Sequence, residues 1–273
     1  MKKTELNRFL PFEADYTLLN KLRSCEKIML VTIAIFSVIL PILNYYSSIC
    51  INIKRIYTII NFLYFASSVI YYILNIYTET FLYPATARKR RKGFIDNSLG
   101  SKFLTQNVKR YYTNDNLKEG PYKMLINCFE NCFFTLNIAK GMIAQILIKN
   151  IALFILLLGI AYCGMRNNLI AIPIVQILLS TLFLTELIHH INFIAKLEQL
   201  YEKFIEVVAS KTNMNSTQTL QESVLLFLDY ETTLAYNKAP LSDKVYEKLN
   251  EKLSNEWEDI KIKYDISKNK VHG

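Results

Sequence analysis

Two long uncharged runs near the N-terminus dominate the hydrophobic pattern of the chain. The first extends from Ile28 to Ile49 and the second from Ile56 to Tyr77, 22 residues each. A helix of this length crosses the roughly 30 Å hydrocarbon core of a bilayer. Because only the short link 50–55 separates the two runs, the pattern predicts a helical hairpin of two membrane spans.

A second pair of apolar runs follows a polar segment of 64 residues, 79–142. We place the third span at 145–163 and the fourth at 169–188, joined by a very short link. The polar segment contains a predicted helix near 101–112. Its last part, 122–143, has apolar residues at helical spacing, and we predict an amphipathic helix there, lying on the membrane surface with a solvated polar face.

The C-terminal tail is predicted to be soluble in character and helical. Its three helical segments are 191–210, 218–236 and 241–264, and in the last of these apolar residues recur mostly every fourth position. Ser242 is placed to cap this last helix. The predicted fold class is therefore an all-α membrane protein with four transmembrane helices as two hairpins, a long cytoplasmic loop and a helical cytoplasmic tail.

The distribution of positive charge predicts how the chain is oriented. The five regions are an N-terminal segment (1–27), a first hairpin (28–78), a loop (79–142), a second hairpin (143–190) and a tail (191–273). The N-terminal segment, the loop and the tail hold 28 Lys and Arg, whereas the short links between spans hold three. Since cytoplasmic segments carry the excess of Lys and Arg, both termini and the loop are predicted to be cytoplasmic.

Five consecutive cations, Arg88 to Lys92, directly follow the first hairpin and are called the basic run below. One interpretation is a topological anchor at anionic lipid headgroups, where each cation contributes about 1 kcal/mol of attraction. The other is a phosphate-binding site, because adjacent guanidinium groups match phosphate oxygens. Asp96, Asn97 and Ser98 would then contact a base or ribose. The two interpretations are compatible, because neighbouring residues on a helix point in different directions.

The stretch YKMLINCFENCFF places Asn127, Glu130 and Asn131 on one helical face, at spacings of three and four. Either this face is solvated, or it offers hydrogen bonds to a ligand or to the basic run, with Glu130 paired to one of its cations. Combined with the basic run, it gives the candidate set for binding a phosphate-bearing ligand: Arg88, Arg90, Arg91, Lys92, Asp96, Asn97, Asn127, Glu130 and Asn131.

Glu186 is the only acidic residue inside a predicted span. Intramembrane acids commonly belong to functional sites. A structural pair with Lys149, at the same end of the third span, or with His190, four residues further on, is the alternative. Proton or ion handling by Glu186 would favour a different function, that of a small ion-coupled transporter or channel.

Metal and catalytic patterns are weak in this sequence. Cys128 and Cys132 have the i, i+4 spacing of two metal ligands on one helix, but no further Cys or His lies near them in sequence, so we predict no metal and no cofactor. Whether Cys50 and Cys163 pair is open. The chain has no G-x-S-x-G, H-E-x-x-H, P-loop or dinucleotide-binding sequence, and we do not predict an enzyme.

Two strings in the loop, together with the order of spans, carry a family resemblance. They are PATARKRRKGFIDNSLG (84–100) and NCFENCFFTLNIAKGM (127–142), the second preceded by RYYTND (110–115). In these features the chain resembles the SMODS-associating four-transmembrane effector family of bacteria. The resemblance implies antiphage defence, in which a neighbouring nucleotidyltransferase makes a cyclic oligonucleotide upon infection.

By the same resemblance, the effector responds to this signal by assembling into homo-oligomers and breaching the bacterial inner (plasma) membrane, so that the infected cell dies or stops growing. The implied partners are the lipid bilayer, other copies of the chain and the cyclic oligonucleotide, with no nucleic-acid polymer. A membrane scaffold that docks a soluble partner through the helix at 241–264 is a further alternative.

Overall fold

The computed structural model describes residues 9–47, 51–106, 108, 111–162, 183–210, 217–237 and 242–266, most of which are helical. The helices are α1 (Glu13–Ser47), α2 (Ile51–Ile76), a π-helical turn (Tyr77–Leu82), α3 (Tyr83–Leu99), α4 (Pro121–Tyr162), α5 (Phe183–Ala209), α6 (Thr217–Asn237) and α7 (Asp243–Lys263). The predicted all-α fold class is confirmed for this part of the chain.

Three helical stretches are long and apolar enough to cross a membrane: Glu13–Tyr46, Ile51–Leu99 and Pro121–Ala152. In the first two, the most apolar window contains no buried residue, and α2 buries none of its side chains. Such large areas of exposed apolar surface are typical of helices that contact lipid. These helices indicate a membrane protein; most of the predicted fourth span lies outside the described residues.

The hairpin unit is the compact unit formed by residues Phe12–Lys89 and Lys149–Phe183. Within it, α1 packs along α2 and the π-helical turn. Helix α1 joins the polar N-terminal segment to the first predicted span without interruption and contains Pro41. At the polar end of this hairpin, ion pairs between Arg23 and Glu79 (2.9 Å) and between Lys89 and Asp15 (2.7 Å) connect the two chain segments.

The helical unit contains residues Met1–Pro11, Arg90–Ile148 and Leu184–Gly273. Its core forms around the first half of α4. The ring of Phe129 is fully buried, with its centroid 5.5 Å from that of Phe204 on α5 and 5.2 Å from that of Trp257 on α7. Packing of large aromatic rings supplies much of the burial energy of a unit of this size.

The predicted helix at 122–143 exists as the first half of α4, but it does not lie on the membrane surface with a solvated polar face. Every residue from Tyr122 to Glu130 is buried, so this part of α4 has no solvated face. The helix continues without a break, and large exposed apolar side chains begin at Ile143 and continue through Ile148 to Ile155. The part of α4 suited to a bilayer is therefore the stretch from about residue 143 to its end at Tyr162.

The prediction of a helix near 101–112 is wrong. The described residues there form bends, because Asp96 draws the chain back on itself. Its carboxylate accepts the backbone N–H groups of Phe103 and Leu104, both at 2.8 Å, and the hydroxyl of Ser101 at 2.7 Å. Gly100 ends α3 with a φ of +70°, a conformation that glycine adopts easily.

The three tail helices occur close to where the periodicity predicts them. Helices α5, α6 and α7 end within a few residues of the predicted bounds. Ser242 caps α7, since its Oγ accepts the N–H of Val245 at 3.4 Å. The apolar stripe of α7 faces the core, where Val245, Leu253 and Trp257 are buried.

Candidate functional site

The basic run lies on α3, and Arg90 makes its strongest contact. The Arg90 guanidinium donates to both carboxylate oxygens of Glu231 on α6, at 2.7 and 2.5 Å. Arg91 lies 3.8 Å from the same carboxylate. The Glu231 side chain is only 8% exposed, so this carboxylate is a buried anion shared by two cations. Sequence spacing could not identify Glu231, because it is 141 positions from Arg90.

The other cations of the run have different surroundings. Arg88 is exposed, and Lys89 forms the ion pair with Asp15 within the hairpin unit. The side chain of Arg91 is 38% exposed and Lys92 is partly exposed. In the helical unit, Arg90 and Arg91 share the Glu231 carboxylate, and Lys92 adds a further positive charge on the same helix, a distribution that attracts anions.

The predicted polar face of α4 meets the end of α3 and the loop before α4, and forms what we call the asparagine network: Asn97, Ser98, Asn114, Asn127 and Glu130. The amide of Asn127 is its centre. Its Nδ2 donates to Asn97 Oδ1 at 2.9 Å and to Ser98 Oγ at 3.1 Å, while its Oδ1 accepts from Asn114 at 3.1 Å. These residues bind one another, so Asn127 has no solvated amide to offer a ligand.

Glu130 completes the network on the next turn of α4. Its carboxylate accepts from Asn114 Nδ2 at 2.6 Å and from the hydroxyl (3.1 Å) and N–H (3.4 Å) of Thr113. Burial raises the pKa of Glu130 from 4.5 to about 7, against the lowering effect of these hydrogen bonds and of the charge on Lys261. Among the described residues its partners are Thr113 and Asn114, so the predicted pairing with the basic run is not found.

Thr113 ties this network to α7. Its Oγ1 accepts from the Trp257 indole N–H at 3.0 Å, and Lys261 Nζ lies 3.3 Å from the same oxygen. The loop before α4 is therefore held between α4 and α7 by one threonine. No hydrophobic periodicity points to this role, since Thr113 lies in the polar string RYYTND (110–115).

Asn131, the third residue of the predicted face, contacts two buried tyrosines. Its Nδ2 donates to the hydroxyl of Tyr112 at 3.4 Å, and its backbone carbonyl accepts from Tyr230 at 3.3 Å. The Tyr230 hydroxyl also lies 2.8 Å from Thr135 Oγ1. Burial raises the pKa of Tyr112 and of Tyr230 well above the usual value, so both remain neutral hydrogen-bonding groups.

The three predicted intramembrane polar residues, Glu186, Lys149 and His190, differ from one another in burial. Glu186 is exposed in the first turn of α5, and Lys149 is exposed on α4. His190 is buried, with its Nε2 2.8 Å from the carbonyl oxygen of Ala139. Cys50 and Cys163, whose pairing the sequence leaves open, both lie outside the described residues.

The described residues contain no group of three His, Cys, Asp or Glu positioned to hold a metal ion. Cys128 and Cys132 are buried free thiols in the core. Burial raises the pKa of the Cys132 thiol to about 12, and it therefore stays protonated.

Comparisons of the chain with protein-family models, curated proteins and solved structures gave no match. The site is therefore interpreted from its own geometry, which separates the nine candidate residues into two groups. Six are engaged in hydrogen bonds within the protein, namely Arg90, Asp96, Asn97, Asn127, Glu130 and Asn131. The other three, Arg88, Arg91 and Lys92, keep cationic surface exposed to solvent.

Proposed function

We propose that the chain is a multi-pass membrane effector of a bacterial antiphage defence system, gated by a cyclic oligonucleotide and acting by disrupting the inner membrane. The observation that carries the proposal is the uninterrupted helical stretch Ile51–Leu99, 49 residues long. One end of it is an apolar segment with no buried side chain, and the other end carries the basic run. A change at the cations is thereby connected directly to a membrane-suited helix.

The ligand class follows from the charges around Glu231. Arg90, Arg91 and Lys92 outnumber this carboxylate, and guanidinium groups bind phosphate oxygens in the same paired geometry as they bind carboxylates. A cyclic oligonucleotide carries at least two phosphates, which suits a helix with several adjacent cations. Asp96, Asn97 and Ser98, which the sequence analysis assigned to base or ribose contacts, instead make hydrogen bonds that hold the end of α3 in shape.

Gating is proposed to work by competition between ligand and Glu231. A phosphate that takes over Arg90 and Arg91 would remove the charge pairing that links α3 to α6. Because the ligand binds the released arrangement better than the paired one, it shifts the equilibrium towards release. The released α3 then transmits the change to α2, which belongs to the same continuous helix.

The exposed apolar surface supports the membrane-directed part of the proposal. Side chains such as Ile59, Phe62 and Phe65 on α2 are more than half exposed. Surfaces of this kind bury themselves against lipid or against other copies of the chain, and their rearrangement would open a path through the bilayer.

Dye-loaded liposomes containing the full chain test this proposal. A panel of cyclic di- and trinucleotides is added, and dye release is recorded for the wild type and for the double variant Arg91→Glu, Lys92→Glu. We expect at least one cyclic nucleotide to release dye from wild-type liposomes, and the double variant to need a concentration roughly 100-fold higher, since two attractive charges become repulsive.

Lys248→Glu, a single charge reversal at an exposed position on α7, is the matched control and should respond like the wild type. Co-expression with a cyclic-oligonucleotide synthase should also lower the membrane potential of cells. If no member of the panel releases dye, and the synthase leaves both potential and growth unchanged, the proposed gating is incorrect.

A further inference from the structure

The hairpin unit contains a second polar cluster, where α1 meets the end of α2. We call it the hairpin seam and define it as Glu26, Asn75 and Thr78. Asn75 Nδ2 lies 3.5 Å from Glu26 Oε2, at the outer limit of a hydrogen bond. Thr78 lies three residues after Asn75, in the π-helical turn that packs against α1. The seam lies beside the uncharged stretch of α1 that begins at Ile28.

Two oxygens of this seam are buried without a hydrogen-bond partner. Glu26 is only 8% exposed, and its Oε1 accepts no hydrogen bond. Thr78 is fully buried, and its hydroxyl neither donates nor accepts a hydrogen bond. Buried polar atoms in native proteins are nearly always hydrogen-bonded, and leaving a carboxylate oxygen unpaired is particularly unfavourable. Two such oxygens on facing elements indicate that something else satisfies them.

Thr78 also differs from three other threonines in the helices of this part of the chain. The hydroxyls of Thr32, Thr58 and Thr86 each donate to the backbone carbonyl four residues earlier, at 2.9–3.0 Å. Thr78 lies in the π-helical turn Tyr77–Leu82, and its hydroxyl makes no such bond. Short π-helical segments are frequent at functional sites, because they change which side chains face a neighbour.

The cation one turn before Glu26 on α1 does not pair with it. Arg23, one turn earlier on α1, donates to Glu79 at 2.9 Å, and its guanidinium lies over the ring of Tyr83 at 5.2 Å. This cation is therefore committed to the neighbouring carboxylate. In the described part of the chain, the only side chain that donates a hydrogen bond to Glu26 is Asn75, at 3.5 Å.

We infer that the hairpin seam binds a monovalent cation, Na⁺ or K⁺, through Glu26 Oε1, Thr78 Oγ1 and the side-chain oxygen of Asn75. Carboxylate, hydroxyl and amide oxygens are the hard ligands that such ions take. One carboxylate and one monovalent ion give a neutral site, whereas a divalent ion would leave a buried positive charge next to an apolar stretch. The bound ion would join α1 to the end of α2 and stabilise the hairpin. This inference is independent of the proposed gating.

Thermal unfolding of the full chain in detergent micelles tests it, with NaCl, KCl or N-methyl-D-glucamine chloride at constant chloride. We expect the midpoint of the wild type to rise with Na⁺ or K⁺ by about 3 °C per tenfold increase above the dissociation constant, and not with the organic cation. Glu26→Gln should abolish the rise. Thr78→Val should bind the ion roughly tenfold more weakly.

Thr78→Val also separates a ligand role from a merely structural one. In the organic cation it should be as stable as the wild type or slightly more stable, because an unsatisfied buried hydroxyl is removed. Glu13→Gln, an exposed acid on the same helix, is the matched control and should keep the full response. A wild type that ignores Na⁺ and K⁺, an unaltered response in Glu26→Gln, or a larger response to Ca²⁺ would each overturn the inference.

Discussion

The two buried polar clusters of this protein differ in how completely their carboxylates are hydrogen-bonded. In the helical unit, the carboxylate of Asp96 accepts three hydrogen bonds and that of Glu130 also accepts three. In the hairpin unit, Glu26 has one contact at 3.5 Å and one oxygen without a partner. The amide oxygen Oδ1 of Asn114 also has no hydrogen-bond partner, so the contrast between the clusters concerns their carboxylates. A carboxylate that is fully hydrogen-bonded fixes the shape of a protein, whereas a buried carboxylate oxygen without a partner indicates a place for a ligand.

The difference arises from which backbone groups each cluster can use. Asp96 and Glu130 lie next to bends and a loop, whose backbone N–H groups are not used by a helix. Phe103 and Leu104 donate theirs to Asp96, and Thr113 donates its own to Glu130. The hairpin seam lies between two helices, where backbone N–H groups are already bonded within each helix. Glu26 can therefore be satisfied only by a side chain, a water molecule or an ion.

The largest effect is expected from Asn127→Ala. This change removes the centre of the asparagine network: Asn97, Ser98 and Asn114 each lose a hydrogen bond, and Ser98 and Asn114 are buried. Since each buried group that loses its partner costs about 1–3 kcal/mol, we expect the free energy of unfolding to fall by roughly 4 kcal/mol. Chemical denaturation in detergent micelles, monitored by Trp257 fluorescence, measures the loss.

The matched control is Asn137→Ala on the same helix. Asn137 donates only to the carbonyl of Phe133 within α4, so its replacement should cost less than about 1 kcal/mol. Equal losses in the two variants would show that the network is no more important to stability than a single hydrogen bond within one helix.

A smaller effect, dependent on pH, is expected from Glu130. Its pKa is raised by burial from 4.5 to about 7 in the folded protein, so the folded state binds more protons than the unfolded state between these values. The associated stability is complete below about pH 4.5 and is lost as pH rises through 7. The free energy of unfolding should therefore fall by about 3 kcal/mol across this window.

Denaturation of the wild type, of Glu130→Gln and of Glu251→Gln at a series of pH values checks this prediction. Glu130→Gln should flatten the profile between pH 4.5 and 7, because the titrating group is gone. Glu251 is exposed on α7, and its variant should keep the wild-type slope. A profile for Glu130→Gln that follows the wild type would assign the pH dependence to other groups.

The sequence predicts the helices of this chain well, because periodicity reports which residues share a face. It does not report what lies opposite that face. Asn127, Glu130 and Asn131 share a face as predicted, but the face is buried against the loop before α4 and not solvated. The predicted helix at 101–112 failed for a related reason, since the bonds from Asp96 that replace it depend on the folded chain.

The same limit applies to the candidate site. Adjacent cations are visible in any sequence, and the basic run was recognised from them. Which of these cations keep exposed surface depends on partners that lie far away along the chain, Glu231 for Arg90 and Asp15 for Lys89. Glu26 and Thr78 gave no signal, because a single acid before a span and a single threonine after one are common in membrane helices.

The smallest effect is expected from Asn75→Ala, the counterpart in the hairpin seam of the Asn127 variant. The only described hydrogen bond of the Asn75 side chain is the 3.5 Å approach to Glu26. In N-methyl-D-glucamine chloride, replacing Asn75 should therefore lower the free energy of unfolding by less than about 0.5 kcal/mol. In Na⁺ or K⁺ the loss should be larger, since the variant also lacks an ion ligand. Thermal unfolding in the two salts measures both values. A loss in the organic cation as large as that of Asn127→Ala would mean that the seam is already a complete network without an ion, and the contrast between the two clusters would disappear.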